Sequence, residues 1–351
     1  MKVIEVSLGA RSYPVIIGTG LVERLCDHLP ENGKIAVIST PIINDLYGNL
    51  LKSIGRGYDL ILVPDGEEAK TWETVEIVLG KLLEYGLDRK ATVVALGGGT
   101  VGDLAGFVAS IYMRGIDVVQ IPTTLLAMVD SSIGGKTAVN HPKGKNMVGS
   151  FHQPSMVIID PLFLDSLPER EIRSGLAETV KYGIISDEEI VNIFENTPVE
   201  DIGQEVMVEI IAKCVAIKAR YVEQDEHDNK GIRASLNYGH TTGHSVENLS
   251  KHKVNHGEGV AIGMTVAALI GEKIGLVDNE MRARQERLLM KIGLPIRVPD
   301  LGIDEMVEVM HSDKKAEDGR IRFVLPTGIG KEPVLRYISE ETIVSALREL
   351  Q

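Results

Sequence analysis

Thr92-Val93-Val94-Ala95-Leu96-Gly97-Gly98-Gly99-Thr100-Val101-Gly102-Asp103 decides the fold. Thr92 to Leu96 is a short β-branched and apolar run without polar alternation, the pattern of a strand buried on both faces. Glycines then turn the chain into a helix. Glycine lets a backbone approach a pyrophosphate closely, and a helix N-terminus offers free N–H groups to it. A tight strand-to-helix turn without a ligand would look the same, but three successive glycines followed by Gly102 favour nucleotide binding. The spacing departs from Gly-x-Gly-x-x-Gly, and Thr40-Pro41 follows the Ile35–Ser39 run where a ribose-binding acid would be expected.

The same texture extends outward. Val3–Leu8 and Tyr13–Ile17 read as a hairpin, and Ile35–Ser39, Leu60–Val63, Val118–Ile121 and Met156–Asp160 as buried strands. Amphipathic stretches such as Thr71–Tyr85 lie between them. This alternation predicts an α/β fold, a Rossmann-like, mostly parallel sheet covered by helices. Beyond Pro161 the periodicity is helical, near Glu169–Ile185, Gln204–Gln224, Gly239–Leu249, Val260–Ile274 and Met281–Ile292, with Ile321–Leu325 as a later strand. The expected organisation is an α/β nucleotide-binding domain over residues 1–165 and a predominantly helical domain over 166–351, with the active site in the cleft between them.

Composition narrows the partners. Lys+Arg of 37 against Asp+Glu of 50 gives a net charge of −13, so no basic face is expected for nucleic acid, and an anionic ligand needs a local cationic pocket. Cys26 and Cys214 fit no zinc or redox spacing and read as reduced core thiols of a cytoplasmic protein. The Met1–Val6 start carries an early acid and no cleavable apolar run. Val260–Ile270 is too short to span a bilayer and reads as a buried helix, so no membrane partner is expected.

Several stretches carry chemistry. Gly134-Gly135-Lys136 through Lys143-Gly144-Lys145-Asn146 reads as a flexible loop, either solvated and basic or wrapping a phosphate. Glu178 and Lys181 stand three apart on one helical face, as a surface ion pair or as a metal-ligating carboxylate beside an anion-binding ammonium. The small residues Ser174 and Gly175 on that face would admit another backbone or a ligand. Winding Gln204–Gln224 at about 100° per residue puts Lys218 inside a stripe of Ile211, Cys214, Val215, Tyr221 and Val222. There it either snorkels to the edge or pairs with an anion. Asn237–Gly259 holds His240, His244, His252 and His256, four of nine histidines. His240 and His244, four apart, suit two ligands of one metal, or one ligand beside a catalytic imidazole. Thr241 after the first removes the general base of a zinc protease.

Taken together, Pro64-Asp65-Gly66-Glu67, Gly97–Asp103, Gly134-Gly135-Lys136 with Gly144-Lys145-Asn146, Gly175-Leu176-Ala177-Glu178, Leu236-Asn237-Tyr238-Gly239-His240 and His256-Gly257-Glu258 resemble the 3-dehydroquinate synthase family. Its members are zinc- and NAD-dependent cyclases of the shikimate pathway. The resemblance runs to Asp313-Lys314-Lys315. It implies zinc, or cobalt, on Glu178, His240 and His256. It implies NAD on Asp65, Gly66, Glu67, Glu68, Ala69, Lys70, Gly99, Thr100, Val101, Gly102, Asp103, Thr123, Thr124, Lys145 and the turn Phe163, Leu164, Asp165, Ser166, with Asp130 near the nicotinamide and Lys136 at the cofactor as well. Lys136, Asn146, Lys181, Lys218, Arg233, Asn237 and Lys314 match residues around the phosphate and carboxylate of a phosphorylated sugar-acid substrate. His244 falls to the phosphate side or a proton relay, and Arg114 to an arginine reaching across a homodimer. The implied reaction is that of a phosphorus–oxygen lyase; a glycerol or glycerol-phosphate dehydrogenase of the same fold is the alternative. The link Asp225-Glu226-His227-Asp228-Asn229-Lys230-Gly231 is one residue longer than the family's usual form, with Asp228 where glutamate is common.

Overall fold

The computed structural model describes residues 1–251, 253–313 and 320–351. They form two compact units, Met1–Pro168 with Gln204–His227, and Glu169–Gly203 with Asp228–Gln351.

In the first unit, β1 (Lys2–Val6) and β2 (Tyr13–Ile17) form the expected antiparallel hairpin. There follow β3 (Ile35–Ser39), α1 (Pro41–Tyr47), β4 (Asp59–Leu62), α2 (Trp72–Glu84), β5 (Thr92–Gly97), α3 (Gly99–Ile111) and β6 (Asp117–Pro122). A hairpin of β7 (Lys136–His141) and β8 (Gly144–Phe151) then leads to β9 (Met156–Ile159). The sheet order is β1-β2-β9-β6-β5-β3-β4, parallel from β2 to β4. From β3 the chain moves to β4 on one side, then crosses to β5 on the other. Ligands of open parallel sheets bind beyond the carboxyl ends of the strands at such a reversal.

Pleating explains the unbroken apolar strands. Ala36, Ile38, Val93 and Ala95 join Val75, Val78, Leu82 and Leu104 in one core, under α2 and α3. Ile35, Val37 and Val94 alternate with them, point to the other face, and are as deeply buried. A sheet covered on both faces has no position that calls for a polar residue.

The second unit begins with α4 (Glu169–Ser186) and α5 (Glu188–Asn196), after which the chain returns to the first unit as α6 (Gln204–Gln224). Periodicity marks α6 as a helix but not where it packs: it lies on β1, β2 and the turn Ala127–Ser131. The second unit resumes with α7 (His240–Leu249), α8 (His256–Lys273), α9 (Asn279–Lys291) and α10 (Ile303–Asp313). It ends with β10 (Arg320–Leu325), β11 (Val334–Ser339) and α11 (Glu340–Leu350). Helix α8 is its central element, buried from Gly259 to Gly271, with α4, α7, α9 and α11 packed around it. No helix among the described residues is long and apolar enough to cross a membrane.

Two expectations need correction. The Gly134–Asn146 stretch is a β-hairpin rather than a flexible loop: Thr137 and Val139 are buried while Lys136 is exposed, an alternation too short to stand out among glycines and lysines. Cys214 is a core thiol as expected, but Cys26 is exposed.

Candidate active site

Four of the segments expected to hold a nucleotide leave the carboxyl ends of parallel strands. Asp65–Lys70 follows β4, Gly97–Asp103 follows β5, Thr123 and Thr124 follow β6, and Phe163–Ser166 follows β9. No side chain caps the first turn of α3, where the amides of Gly99, Thr100 and Val101 are donors without an intrahelical acceptor. Thr124 Oγ1 accepts from Ala127 N at 3.2 Å and fixes the turn after β6. Phe163 packs edge-on against Tyr47 with ring centroids 4.8 Å apart, and the Ser166 hydroxyl bonds the Tyr47 hydroxyl, fixing the turn after β9.

Lys70 ties these turns to the hairpin. The residue is 3% exposed, and its ammonium donates to Asp103 Oδ2 at 2.6 Å and to Asn146 Oδ1 at 2.5 Å. Asn140 N donates to Lys70 O at 2.7 Å, Asn146 N to Asn140 Oδ1 at 3.0 Å, and Asn140 Nδ2 to Glu67 Oε2 at 2.6 Å. Burial pushes the Asp103 carboxyl above its usual range, with Lys70 opposing the shift. Asn146 holds a left-handed backbone, φ 56°, which asparagine tolerates better than most residues. Lys136 and Lys145 are exposed on this hairpin.

Lys218 does not snorkel. It is 5% exposed, with its ammonium 2.9 Å from Asp130 Oδ1 and 2.5 Å from Asp130 O, in the turn Ala127–Ser131. The anion in its apolar stripe comes from the protein itself. Arg114 is exposed just past the C-terminal end of α3, the opposite end from Gly99, in a run of left-handed residues, Met113 at φ 50° and itself at φ 70°.

In the second unit, the backbones of α7 and α8 touch. A Cβ on Gly263 would fall 1.8 Å from Gly239 O, and one on Gly243 would fall 2.8 Å from Gly259 O. His240 precedes Gly243 by three residues and His256 precedes Gly259 by three, so each histidine shares a helical face with a touching glycine. Helix α4 is as close: a Cβ on Gly257 would lie 2.4 Å from the Ser174 backbone, and Gly257 N donates to Ser174 Oγ at 3.1 Å. Glu178 stands one turn beyond Ser174. An Asn255–Glu258 capping box starts α8, and Arg170 forks onto Glu258 at 2.8 and 2.7 Å.

The result is a cluster of Glu178, His240 and His256 with ligand atoms all within 4.8 Å of one another. Glu178 Oε1 lies 3.5 Å from His240 Nε2 and 3.4 Å from His256 Nε2. His240 Nδ1 is 3.1 Å from Tyr238 O; a carbonyl only accepts, so Nδ1 carries the proton and Nε2 the lone pair. Burial lowers the His240 imidazole well below its ordinary value and keeps it neutral. Tyr238 is itself pinned, its hydroxyl donating to Gln285 Oε1 at 2.7 Å. His256 Nδ1 lies 3.5 Å from Glu247 Oε2. Burial pulls the His256 imidazole down, but bonds and charge from Glu178 and Glu247 outweigh it and hold it up to about 9.

These donors fit a divalent cation: a buried carboxylate oxygen, and two Nε2 atoms whose partner nitrogens are held by acceptors behind them. Glu247, seven residues after His240 on the same face of α7, escaped the sequence reading; its signal was that spacing. His244 lies beside the cluster, its ring centroid 5.3 Å from that of His240. Lys181 forms an ion pair with Glu178 Oε2, and both side chains are buried, so the pair is not a surface one. Arg233 is 4% exposed and Asn237 half-buried in the turn before α7. Lys314 lies outside the described residues.

An α/β sheet of the nucleotide-binding type in one unit and a Glu-His-His cluster able to hold a metal ion in the other point to the class of enzymes that pair a nucleotide with a metal. Residues 60–174 match the model of the 3-dehydroquinate synthase N-terminal region, and residues 175–316 that of the C-terminal region. The chain belongs to the 3-dehydroquinate synthase family. It is 44% identical to the 3-dehydroquinate synthase of Rippkaea orientalis, over 98% of each chain. Among solved structures, it is similar to 2-deoxy-scyllo-inosose synthase complexed with carbaglucose-6-phosphate, NAD+ and Co2+, with TM-score 0.90 and 26% identity over 100% of both chains. It is also similar to 2-epi-5-epi-valiolone synthase from Streptomyces hygroscopicus with NAD+ and Zn2+ bound, with TM-score 0.88 and 30% identity over 98% of both chains.

Proposed function

We propose that the chain converts 3-deoxy-D-arabino-heptulosonate 7-phosphate to 3-dehydroquinate and phosphate. The reaction proceeds by transient oxidation, phosphate elimination, re-reduction and intramolecular aldol closure. The observation that carries this reading is the convergence of Glu178, His240 and His256 in a chain of this family. When bound, a divalent cation would supply Lewis acidity toward a substrate hydroxyl, and NAD would supply reversible hydride acceptance.

The chain's own residues do the rest. Glu178, His240 and His256 hold zinc or cobalt. The turns Asp65–Lys70, Gly99–Asp103, Thr123–Thr124 and Phe163–Ser166, with Lys145 and Asp130, hold NAD; the uncapped amides of α3 suit its pyrophosphate. Lys136, Asn146, Lys181, Lys218, Arg233, Asn237 and Lys314 answer to the substrate's phosphate and carboxylate. His244, beside the metal cluster, moves a proton at its imidazole during elimination. Asp228 takes no assigned role.

Homodimer formation completes the reading, with Arg114 acting on the neighbouring copy. Helix α3 has 13 residues and spans about 20 Å, so Arg114 stands far from its own chain's Gly99 turn. Ile111, Met113 and Phe151, 39%, 39% and 42% exposed, offer apolar surface for a second copy around it.

The test is inorganic phosphate release from the heptulosonate phosphate, with NADH absorbance followed in parallel. Phosphate release without lasting NADH supports the lyase, and NADH accumulating with turnover supports the dehydrogenase. Glu178→Gln should abolish release while the protein stays folded.

A further inference from the structure

We propose that Lys181 sets the way in which Glu178 meets a metal ion. By holding Oε2, it leaves Oε1 as the carboxylate donor, so the ion takes one atom from each of Glu178, His240 and His256. The inference rests on the metal reading of that cluster and deepens it.

The two oxygens of Glu178 face different partners. Oε1 points between His240 Nε2 and His256 Nε2, at 3.5 and 3.4 Å, whereas Oε2 is ion-paired with the Lys181 ammonium. Both residues belong to α4, three apart, so the division is built into a rigid helix and does not wait on a loop. Lys181 has no easy alternative: its side chain is 2% exposed, and the Tyr182 ring lies 4.8 Å from the ammonium.

Carboxylates bind metals through one oxygen or two. A cation fixed beside a divalent site weakens metal binding by repulsion, so tight binding alone would favour a neutral residue at position 181. What the ammonium secures is a three-atom protein set, as in catalytic rather than structural metal sites. The position that a second Glu178 oxygen would fill stays open for another ligand. Lys181 is in this respect a positioning residue, whatever it also contributes to an anionic substrate.

The experiment uses full-length protein, substrate-free, with Co2+ as the probe. Tetrahedral Co2+ absorbs strongly in the visible, and its bands weaken as coordination number rises. In Lys181→Met, Co2+ should bind at wild-type stoichiometry with equal or tighter affinity, and its visible bands should weaken severalfold. Lys181→Arg, which still engages Oε2, should keep the wild-type spectrum. Lys181→Gln serves as a second neutral variant if Lys181→Met does not fold. Wild-type spectra and affinity in the neutral variants would overturn the inference while leaving the metal site standing, as would weakened binding, the mark of a merely structural residue. Failure of the metal reading looks different: Glu178→Gln would keep full Co2+ stoichiometry.

Discussion

Replacing Lys218 by methionine tests the buried pair that links α6 to the turn after β6. Removing one member of a buried pair costs about 3–5 kcal/mol when the surviving charge stays buried. The Asp130 side chain is 29% exposed and that of Lys218 6%, so the two members are not equivalent. After Lys218→Met the carboxylate can rehydrate and the thioether fills the apolar stripe, which brings the cost down to about 1–3 kcal/mol. Asp130→Asn takes the carboxylate from an ammonium with little route to water, and its cost stays near the upper figure, about 3–5 kcal/mol. The double variant Lys218→Met/Asp130→Asn should fall close to Lys218→Met alone, so the coupling equals the cost of Asp130→Asn, about 3–5 kcal/mol. Urea unfolding can be followed through Trp72, the chain's single tryptophan, which lies in the same unit as the pair. The reasoning is refuted if Lys218→Met is as stable as the parent and the two substitutions add within about 0.5 kcal/mol.

Further outcomes follow from the metal cluster. The metal-free His256 imidazole is held up to about 9, above its ordinary 6.5. Its stabilisation is therefore full below pH 6.5 and is lost as pH rises through about 9, so the Tm of chelator-treated protein should decline across that window. Metal binding must expel that proton, and affinity should rise about tenfold per pH unit over the same range; flat titrations would contradict the assignment. Glu247→Ala should weaken zinc binding by about 10–100-fold in chelator competition, with Glu247→Gln intermediate because its amide oxygen still accepts from Nδ1. Unchanged affinity in both would remove Glu247 from the site. Gly257→Ala puts a Cβ 2.4 Å from the Ser174 backbone, so α8 must shift from α4. We expect a loss of about 1–3 kcal/mol in thermal unfolding together with reduced zinc content; a variant with parental Tm and zinc would show that the contact is slack.

Much of the fold was legible because burial on both faces leaves no ambiguity in the pattern. The Val- and Ile-rich runs became β3, β5, β6 and β9 within a residue or two, and α6 spans Gln204–Gln224 as its stripe implied. The hairpin β7–β8 was not legible, since only Thr137 and Val139 turn inward in β7, and β11 was missed because most of its residues are not buried. The packing of α6 on the first unit depends on contacts distant in sequence, which periodicity does not carry.

The site divides in the same way. Local spacing paired His240 with His244, yet the structure groups His240 with His256 and with Glu178 from a different helix. Resemblance supplied that triad; spacing alone could not, because α4, α7 and α8 converge through backbone contacts at glycines. The His-x-x-Gly repeat at 240–243 and 256–259 was the trace of that convergence in the sequence. Lys218 is the converse case: the stripe left snorkelling and an anionic partner both open, and only the structure supplied Asp130.

Single-turnover stopped flow tests the central claim most directly. Enzyme loaded with NAD and zinc is mixed with the heptulosonate phosphate, and absorbance of the reduced nicotinamide is recorded together with phosphate release. The account predicts a transient rise that returns to baseline as one equivalent of phosphate per active site appears. A rise that persists, or phosphate release in Glu178→Gln at the parental rate, would contradict it.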